Sequence, residues 1–464
     1  MSGGLAMPYT LALTITVQII HEDTNIRTME QLTIPEDTSR LFEQIITLEE
    51  LKASFNEVRR NQGAPGIDGV SISDFSSNLN EELSQLQAEL SNWSYKPRAV
   101  RRVEIPKPNG GVRLLGVPCV RDRVVQTAIK RAIEPILDST FSEHSYGFRP
   151  GRNQRQAVES AQKIVVEEGK ELVVDIDLSK FFDRVNHDRL LALLKKHYID
   201  KRVLRLIGMI LRSGVMIDGR VEATREGTPQ GGPLSPLLSN VILDELDKEL
   251  EKRKLSFCRF ADDCNIFVRS RKAAERVMVS ISQFIENKLK LVVNREKSQV
   301  ARTCEVKFLG MTIVNGTIAI SRKAMSHAMA KVKELTPRGT YLTLELTIAE
   351  INRWYVGWSN YFNMTQYPKQ LNMVEGRIRR RLRARIVSQF GRKRYLAREL
   401  RKRGVQHRAV ERAVFSNRKK WALSNTWAVK RAYGNKWFEH AGLITKSGDE
   451  LPHWFYVKRG VRFS

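Results

Sequence analysis

Hydrophobic positions along the chain follow two different periods, which alternate from one segment to the next. Over residues 45–61, Leu48, Leu51, Phe55 and Val58 recur at the three-to-four-residue spacing of an amphipathic helix. The same period predicts further helices over residues 81–93, 121–137, 154–168, 187–198, 201–214, 234–252 and 271–289. From about residue 345 onward the chain is predicted to be helical and basic.

Short apolar runs bounded by turn residues separate these helices and predict strands. Hairpins or strand-and-turn units are expected over residues 99–118, 215–227, 256–270, 290–300 and 306–320, and a strand that turns into a helix is expected over residues 172–182. Helices and strands follow one another in mixed order and not as regular βαβ repeats. The sequence therefore predicts an α+β fold with an antiparallel sheet.

Length and charge point to a large protein with a polyanionic partner. The 464 residues are too many for one ordinary domain and favour several hydrophobic cores. The chain carries 78 Lys and Arg against 51 Asp and Glu, which gives a net charge of +27 and a pI near 10.1. Such an excess is costly in self-repulsion without a partner, and nucleic acid is the expected polyanion.

Cysteine spacing and hydropathy argue against a zinc ribbon and against a membrane protein. The four cysteines form no CxxC pair, and their scarcity fits a reducing cytoplasm. An apolar run near the N-terminus is too short to span a bilayer and has no basic region before it, so neither a membrane span nor a signal peptide is expected.

Two adjacent aspartates interrupt an apolar segment, "CRFADDCNIFV", at residues 258–268. Asp262 and Asp263 are expected in a tight turn between two strands, where neighbouring carboxylates repel each other and are costly to desolvate. A second acidic segment, "VVDIDLSKFFD", lies upstream. Strand alternation places its Asp175 and Asp177 on one face and Ile176 on the other.

A divalent cation would compensate these carboxylates. Mg²⁺ prefers oxygen ligands, and two such ions about 3.5–4 Å apart stabilise the attacking and leaving oxygens of an in-line phosphoryl transfer. The alternative is a surface hairpin with a solvated acidic turn. The upstream aspartates, together with a basic hairpin that carries Arg101, Arg102, Lys107 and Arg113, favour the metal site.

Nine short motifs occur in order between about residues 46 and 440. They are "NQGAPGIDGV", "RRVEIPKPNGGVRLLGVP", "HSYGFRPGR", "DIDLSKFFDRVNHD", "EGTPQGGPLSPLLSNVILDELDKEL", "CRFADDCNIF", "NREKS", "KFLGM" and "NRWYVGWSNYF". On these motifs the chain resembles the bacterial group II intron-encoded reverse transcriptases/maturases, most closely the compact type without a C-terminal endonuclease domain. The resemblance implies an RNA-directed DNA polymerase that also binds intron RNA, assisting splicing and mobility by target-primed reverse transcription.

The resemblance also implies a right-hand polymerase architecture. Residues 1–44 would be an unmatched N-terminal extension, and residues 45–315 would form the fingers and palm, with their antiparallel sheet. Residues 316–400 would form an α-helical thumb or maturase region, and residues 401–464 a basic nucleic-acid-binding segment.

In the catalytic centre, the resemblance implies that Asp177, Asp262 and Asp263 are the catalytic carboxylates. With the backbone carbonyl of Leu178, they would hold two Mg²⁺ ions, for which Mn²⁺ is an alternative.

The resemblance implies five contacts with the incoming dNTP. Lys107 and Arg113 would hold the triphosphate, the first as a point charge and the second as a fork. Phe182 would lie under the sugar and leave no room for a 2′-hydroxyl, and Gln230 would contact the nucleotide near its sugar. Lys297 is either an acid beside the leaving pyrophosphate or a surface lysine.

Three residues near these motifs need separate interpretations. Phe260 stands where most of the family carries Tyr, so the ring is kept and the hydroxyl is lost. Activity is expected to survive, while fidelity or primer positioning can change. Asp175 and Asp183 fall outside the triad and are interpreted as structural.

The C-terminal part combines clustered aromatic residues with dense positive charge. Trp354 and Trp358 share a helical face, which favours helix-bundle core over contact with the template–primer duplex. Residues 371–464 hold 25 Lys and Arg against 6 Asp and Glu, a density that favours nucleic-acid binding over a solvated face. The candidate contacts are Arg377, Arg380, Arg381, Arg383, Arg385, Arg392, Lys393 and Arg394. Trp421, Trp427 and Trp437 either stack on unpaired bases or pack.

The expected partners are intron RNA, an RNA template with a DNA primer, target DNA and dNTPs, with no membrane. A bacterial cytoplasmic location is expected, associated with the nucleoid when the protein is bound to DNA. Two alternatives remain at this point: a splicing cofactor with little polymerase activity, and a related reverse transcriptase recruited to DNA repair or defence.

Overall fold

The computed structural model describes residues 40–106, 112–217, 219–224, 226–228, 231–337 and 339–446. Residues 1–39, the segment 107–111 with Lys107, residues 229–230 with Gln230, and the chain after residue 446 lie outside these ranges. Among the helices of the described ranges, none combines the length and the hydropathy needed to cross a membrane.

The larger part of the described chain alternates helices with short strands. Its helices are α1 (Leu41–Ile45), α2 (Leu48–Asn61), α3 (Ile72–Ser77), α4 (Leu79–Ser91), α5 (Val120–Asp138), α6 (Gln154–Glu168), α7 (His187–Lys196), α8 (Lys201–Leu211), α9 (Ser235–Lys252) and α10 (Arg271–Phe284). Its strands are β1 (Val100–Pro106), β2 (Val112–Val117), β3 (Leu172–Ile176), β4 (Val215–Ile217), β5 (Arg220–Glu222), β6 (Ser256–Phe260), β7 (Asp263–Val268) and β8 (Gln299–Arg302).

A hairpin and a helical region follow. The hairpin is β9 (Met311–Val314) and β10 (Thr317–Ile320). The helices are α11 (Arg322–Leu335), α12 (Leu344–Phe362), α13 (Pro368–Gln389), α14 (Lys393–Lys402), α15 (His407–Val414), α16 (Lys420–Leu423), α17 (Trp427–Ala432) and α18 (Asn435–His440). The prediction of a helical C-terminal part is confirmed.

The central sheet has the strand order β6-β7-β3-β8, and every neighbouring pair is antiparallel. A second sheet has the order β2-β1-β4-β5, in which β1 and β4 pair in parallel through Val100↔Val215 and Arg101↔Met216. The prediction of an α+β fold with an antiparallel sheet is confirmed. The parallel pair was not predicted, because it joins segments that are distant in the sequence.

Several helices begin at a side-chain cap, as α2 and α6 show. The helix predicted over 45–61 begins at Leu48 instead, because the Thr47 side chain accepts a hydrogen bond from the Glu50 backbone N–H and starts α2; Ile45 ends the separate helix α1. Helix α6 coincides with its predicted range. Asn153 and Gln156 form a capping box at its start, and Gly169 ends it in a left-handed conformation.

The two faces of the central sheet belong to different cores. Val174 and Ile176 of β3 lie in a core that spans α1 to α10. Val173 of the same strand lies in a second core, which includes α6, the β9–β10 hairpin and Phe362 of α12. By strand alternation Asp175 and Asp177 share the face of Val173. The acidic face of the sheet is thus the one on which the C-terminal helical region docks.

Candidate active site

The paired aspartates lie at the tip of the β6–β7 hairpin. Phe260 pairs with Asp263 across the hairpin, which leaves Ala261 and Asp262 as the two turn residues. Ala261 has a φ of +55°, a conformation that non-glycine residues rarely adopt. The Arg259 guanidinium donates to the Ala261 carbonyl at 2.9 Å and so fixes this turn.

Arg259 itself is held in the interior of the protein. It forms a fully buried ion pair with Asp247 of α9, 2.5 Å from Nη2 to Oδ2, and donates to the Asn240 side-chain oxygen at 3.0 Å. Removing one partner of such a buried pair leaves an uncompensated charge and costs about 3–5 kcal/mol. The position of the turn that carries Asp262 therefore depends on two polar residues of α9. Sequence reasoning missed both of them, because they read as ordinary helix residues.

A close backbone approach fixes the turn from its other side. The Tyr146 N–H donates to the Arg259 carbonyl at 2.9 Å, and the Asn240 amide donates to the Gly147 carbonyl at 2.8 Å. A Cβ atom at Gly147 would lie 2.2 Å from the Ala261 nitrogen. Only glycine fits there. The motif "HSYGFRPGR" contained this glycine, but the sequence alone did not indicate its neighbour.

Asp177 follows the end of β3 and is supported by the "NREKS" segment. Its backbone N–H donates to the Ser298 hydroxyl at 3.0 Å, and its carbonyl accepts from the Asn294 N–H at 2.8 Å. Lys297 lies on the same segment, with its largely exposed ammonium 3.9 Å from the Asp177 carboxylate. The next residue, Leu178, is buried and bridges to Val293.

The acidic residues of both segments form one electrostatic group. Desolvation, and then the Asp177 charge, raises the pKa of Asp262, while Arg113 opposes this shift. Desolvation and the carboxylates of Asp262, Asp175 and Asp177 raise the pKa of Asp263 to about 6. The pKa of Asp175 is also raised, by desolvation more than by Asp177. Protein cations therefore leave part of this negative charge uncompensated.

The donor set at this site fits a hard divalent cation. Asp177, Asp262 and Asp263 supply carboxylate oxygens from two adjoining segments, and such ligands suit Mg²⁺ better than softer metals. Among the described residues, no three His, Cys, Asp or Glu side chains already stand close enough together to form a ready metal site. The fit therefore rests on the chemistry of the donors and on their uncompensated charge.

Of the residues expected to contact a nucleotide, Arg113 and Lys297 lie near the aspartates. Arg113 is exposed on β2, and its charge acts on the Asp262 carboxyl. Phe182 is half-buried and packs edge-on against Phe181, with 5.1 Å between ring centroids. The Phe182 carbonyl accepts from the Thr228 N–H at 2.7 Å, which joins its turn to the segment before Gln230. Lys107 and Gln230 lie outside the described residues.

The basic residues of α13 have other neighbours. Arg377 and Arg380 stack over Trp421, at 5.2 and 4.2 Å from its ring. Arg381 donates to the Thr336 carbonyl at 2.6 Å, and the buried Arg383 donates to the Tyr433 carbonyl at 3.3 Å.

A further buried member of this set, Arg385, donates to Thr347 and to the Leu342 carbonyl. The members that are exposed to solvent are Arg392, Lys393 and Arg394.

Most of the C-terminal aromatic residues pack against one another. Trp354 stacks on Trp358, with 5.8 Å between centroids, and both contact the helical core. The buried Tyr355 donates its hydroxyl to Glu375 at 2.6 Å. The prediction that this cluster is helix-bundle core is confirmed. Trp427 differs, since it is 59% exposed.

Comparison with known proteins shows which families this chain matches. Residues 105–313 match the family described as "Reverse transcriptase (RNA-dependent DNA polymerase)", and residues 325–404 match the "Group II intron, maturase-specific domain". Protein YkfC of Escherichia coli (strain K12) is 35% identical over 51% of this chain and 72% of its own length. Group II intron-encoded protein LtrA of Lactococcus lactis subsp. cremoris is 27% identical over 67% of this chain and 61% of its own length.

Proposed function

The chain belongs to the group II intron-encoded reverse transcriptase/maturase family, and we propose that it is an RNA-directed DNA polymerase that also binds intron RNA. The observation that carries the proposal is that the charges of Asp177, Asp262 and Asp263 act on one another. These residues lie on two adjoining segments, both within the range that matches the reverse transcriptase family. We further propose the domain limits given above, with fingers and palm over 45–315 and the thumb or maturase region over 316–400.

The reaction is nucleotidyl transfer from a dNTP to the 3′-hydroxyl of a primer. In this proposal Asp177, Asp262 and Asp263 hold two Mg²⁺ ions, with the Leu178 carbonyl as a further ligand. When bound, such ions stabilise the attacking and leaving oxygens of an in-line displacement. The protein residues mainly position the reactants and neutralise charge. In the same proposal Arg113 and Lys107 hold the triphosphate, and Lys297 is an acid beside the leaving pyrophosphate.

The raised pKa values of Asp262 and Asp263 support the same assignment. Asp262 is half-buried and Asp263 is exposed, so desolvation accounts for only part of the rise in the pKa of Asp263, and another part comes from repulsion by Asp262, Asp175 and Asp177. Placing like charges from two segments together is unfavourable for folding, so the arrangement needs a reason outside folding. The proposal accounts for the cost because bound cations reverse the local repulsion.

Phe182 is proposed to exclude ribonucleotides. Replacing Phe182 with Ala removes the flat ring beneath the sugar, so the preference for dNTP over rNTP is expected to fall by about 10- to 100-fold. The measurement is steady-state incorporation of a matched dNTP and rNTP on one template. Phe182→Tyr keeps the ring and should keep the preference. Unchanged selectivity in Phe182→Ala would mean that the ring serves only packing.

Arg392, Lys393 and Arg394 are proposed to contact nucleic-acid phosphates, because they are the exposed members of the basic set. Changing all three to Gln should weaken RNA binding and lower the slope of log affinity against log salt by about two units for a single strand. The control changes Arg271, Lys272 and Arg276 of α10 to Gln, which removes the same charge from another exposed helix. Equal slopes in the two triple variants would contradict the assignment.

DNA synthesis on an RNA template tests the proposed function. The purified chain with primer, dNTPs and Mg²⁺ is expected to extend the primer into an alkali-resistant copy. Tight RNA binding without any extension would favour a splicing cofactor instead. The family comparisons do not favour the alternative of a reverse transcriptase recruited to repair or defence.

A further inference from the structure

One exposed aromatic residue beside the catalytic turn has no explanation in the packing of the protein. Phe148 is 47% exposed, and its φ is +58°. A left-handed backbone is a rare and unfavourable conformation for a bulky side chain. Because nearly half of the residue's surface faces solvent, burial of the side chain compensates only part of this cost. Glycine would suit the conformation better.

The residues on both sides of Phe148 are held firmly. Gly147 abuts the Ala261 nitrogen and accepts a hydrogen bond from Asn240. Arg149 is buried and donates to the Asp138 carboxylate at 2.7 Å and to the Ser142 carbonyl at 2.5 Å. The left-handed conformation of Phe148 is therefore imposed by a rigid segment and is not the result of a loose loop.

The segment that carries Phe148 adjoins the turn between β6 and β7. Gly147 and Ala261 are in backbone contact, and each is followed directly by a residue of interest, Phe148 in one segment and Asp262 in the other. Phe148 therefore lies on the segment that contacts the turn carrying Asp262. A flat, exposed ring at such a place matches the face of a nucleobase, and stacking of this kind is tolerant of base identity.

We propose that Phe148 is a base-stacking residue that positions the template–primer at the catalytic turn. This inference rests on the proposed polymerase function and adds a contact with one nucleobase near the primer end. The base belongs either to the template or to the primer, and the two sources share the same chemistry. The ring touches neither the triphosphate nor the catalytic carboxylates in this proposal, so it acts on binding of the duplex.

Phe148→Gly separates this role from a structural one. Gly fits the left-handed backbone, so the melting temperature should be unchanged or higher. Loss of stacking should raise the KM and the Kd for template–primer by about tenfold, within the range known for one stacked base, and leave KM for dNTP unchanged. Phe148→Trp restores a stacking surface and should restore the KM for template–primer.

Tyr198 offers a matched control. It is 67% exposed with a φ of +56°, and it lies in the turn between α7 and α8, away from the catalytic hairpin. Tyr198→Gly relieves the same backbone strain and removes a similar exposed ring, yet should leave KM for template–primer unchanged. If Phe148→Gly also leaves that KM and the Kd unchanged, or if Phe148→Trp binds no better than Phe148→Gly, the proposal is wrong.

Abasic substrates identify the stacked base. The penalty of Phe148→Gly should vanish when an abasic site replaces the base that the ring contacts, since neither enzyme can then stack on it. Loss of the penalty at a template position assigns the contact to the template, and loss at the primer terminus assigns it to the primer. A penalty that persists at every position scanned would overturn the proposal. If the wild type makes no DNA, the proposed function fails, and the Kd comparison still tests Phe148.

Discussion

Asp262→Asn is expected to lower DNA synthesis by about a thousandfold or more, because a bound cation then loses a carboxylate ligand worth several kcal/mol of charge stabilisation in the transition state. Binding of RNA should stay close to that of the wild type, since the basic residues that would contact phosphates lie elsewhere. Single-turnover primer extension on an RNA template, with RNA affinity measured in parallel, checks both expectations.

The same substitution should stabilise the folded protein. The pKa of Asp262 is raised above its ordinary value in the folded state, mainly by desolvation and the Asp177 charge. At neutral pH the ionised carboxylate therefore disfavours folding, and the neutral Asn removes that cost. A higher melting temperature together with lost synthesis would identify a functional site.

Asp183→Asn is the matched control for this experiment. Asp183 lies on the same acidic motif as Asp177, but its side chain is exposed, and it is interpreted as lying outside the triad. Its substitution should leave synthesis near the wild-type rate. Equal rates in Asp262→Asn and the wild type would show that the reaction does not depend on the paired aspartates.

Gly147→Ala is expected to reduce synthesis by about a hundredfold without changing any group that touches substrate. The new Cβ would lie 2.2 Å from the Ala261 nitrogen and 2.9 Å from the Phe260 carbonyl carbon, so the backbone of the catalytic turn must move. A displacement of about 1 Å at reacting groups is enough for a loss of this size. Overpacking should also lower the free energy of unfolding by about 1–3 kcal/mol.

Gly376→Ala provides the comparison for Gly147→Ala. A Cβ at Gly376, within α13, meets no atom closer than 4 Å, so alanine should be tolerated and favour the helix. The two variants are compared by primer extension and by chemical unfolding. A Gly147→Ala protein with the wild-type rate would show that the contact with Ala261 does not position the turn.

Local sequence patterns predicted the acidic site because its aspartates are marked by the residues next to them in the sequence. Strand alternation placed Asp175 and Asp177 on one face, and the two apolar flanks of Asp262 required a tight turn. The residues that hold the site in place were not predicted, because they act through contacts between segments that are distant in the sequence. The Arg259 ion pair with Asp247, and the contact of Gly147 with Ala261, are such cases.

The density of positive charge in the C-terminal part did not indicate which basic residues are exposed to solvent. Arg383 and Arg385 read as members of a basic run, yet both are buried and donate to backbone carbonyls. Helix α13 passes through the middle of the helical core, where loop carbonyls need donors and where guanidinium groups can supply several at once. Only burial, which the composition does not encode, separates these residues from exposed ones such as Arg392.

Divalent cations are proposed to bind between Asp177 and the Asp262–Asp263 pair. The most direct measurement replaces Mg²⁺ with Fe²⁺ in the complex with RNA template, DNA primer and dNTP, and then adds ascorbate and peroxide. Hydroxyl radicals formed at the bound iron cut the nearby backbone. We predict two cuts, one just after β3 and one in the β6–β7 turn, both lost in Asp262→Asn. Cuts at other places only, or the same cuts in Asp262→Asn, would contradict this account.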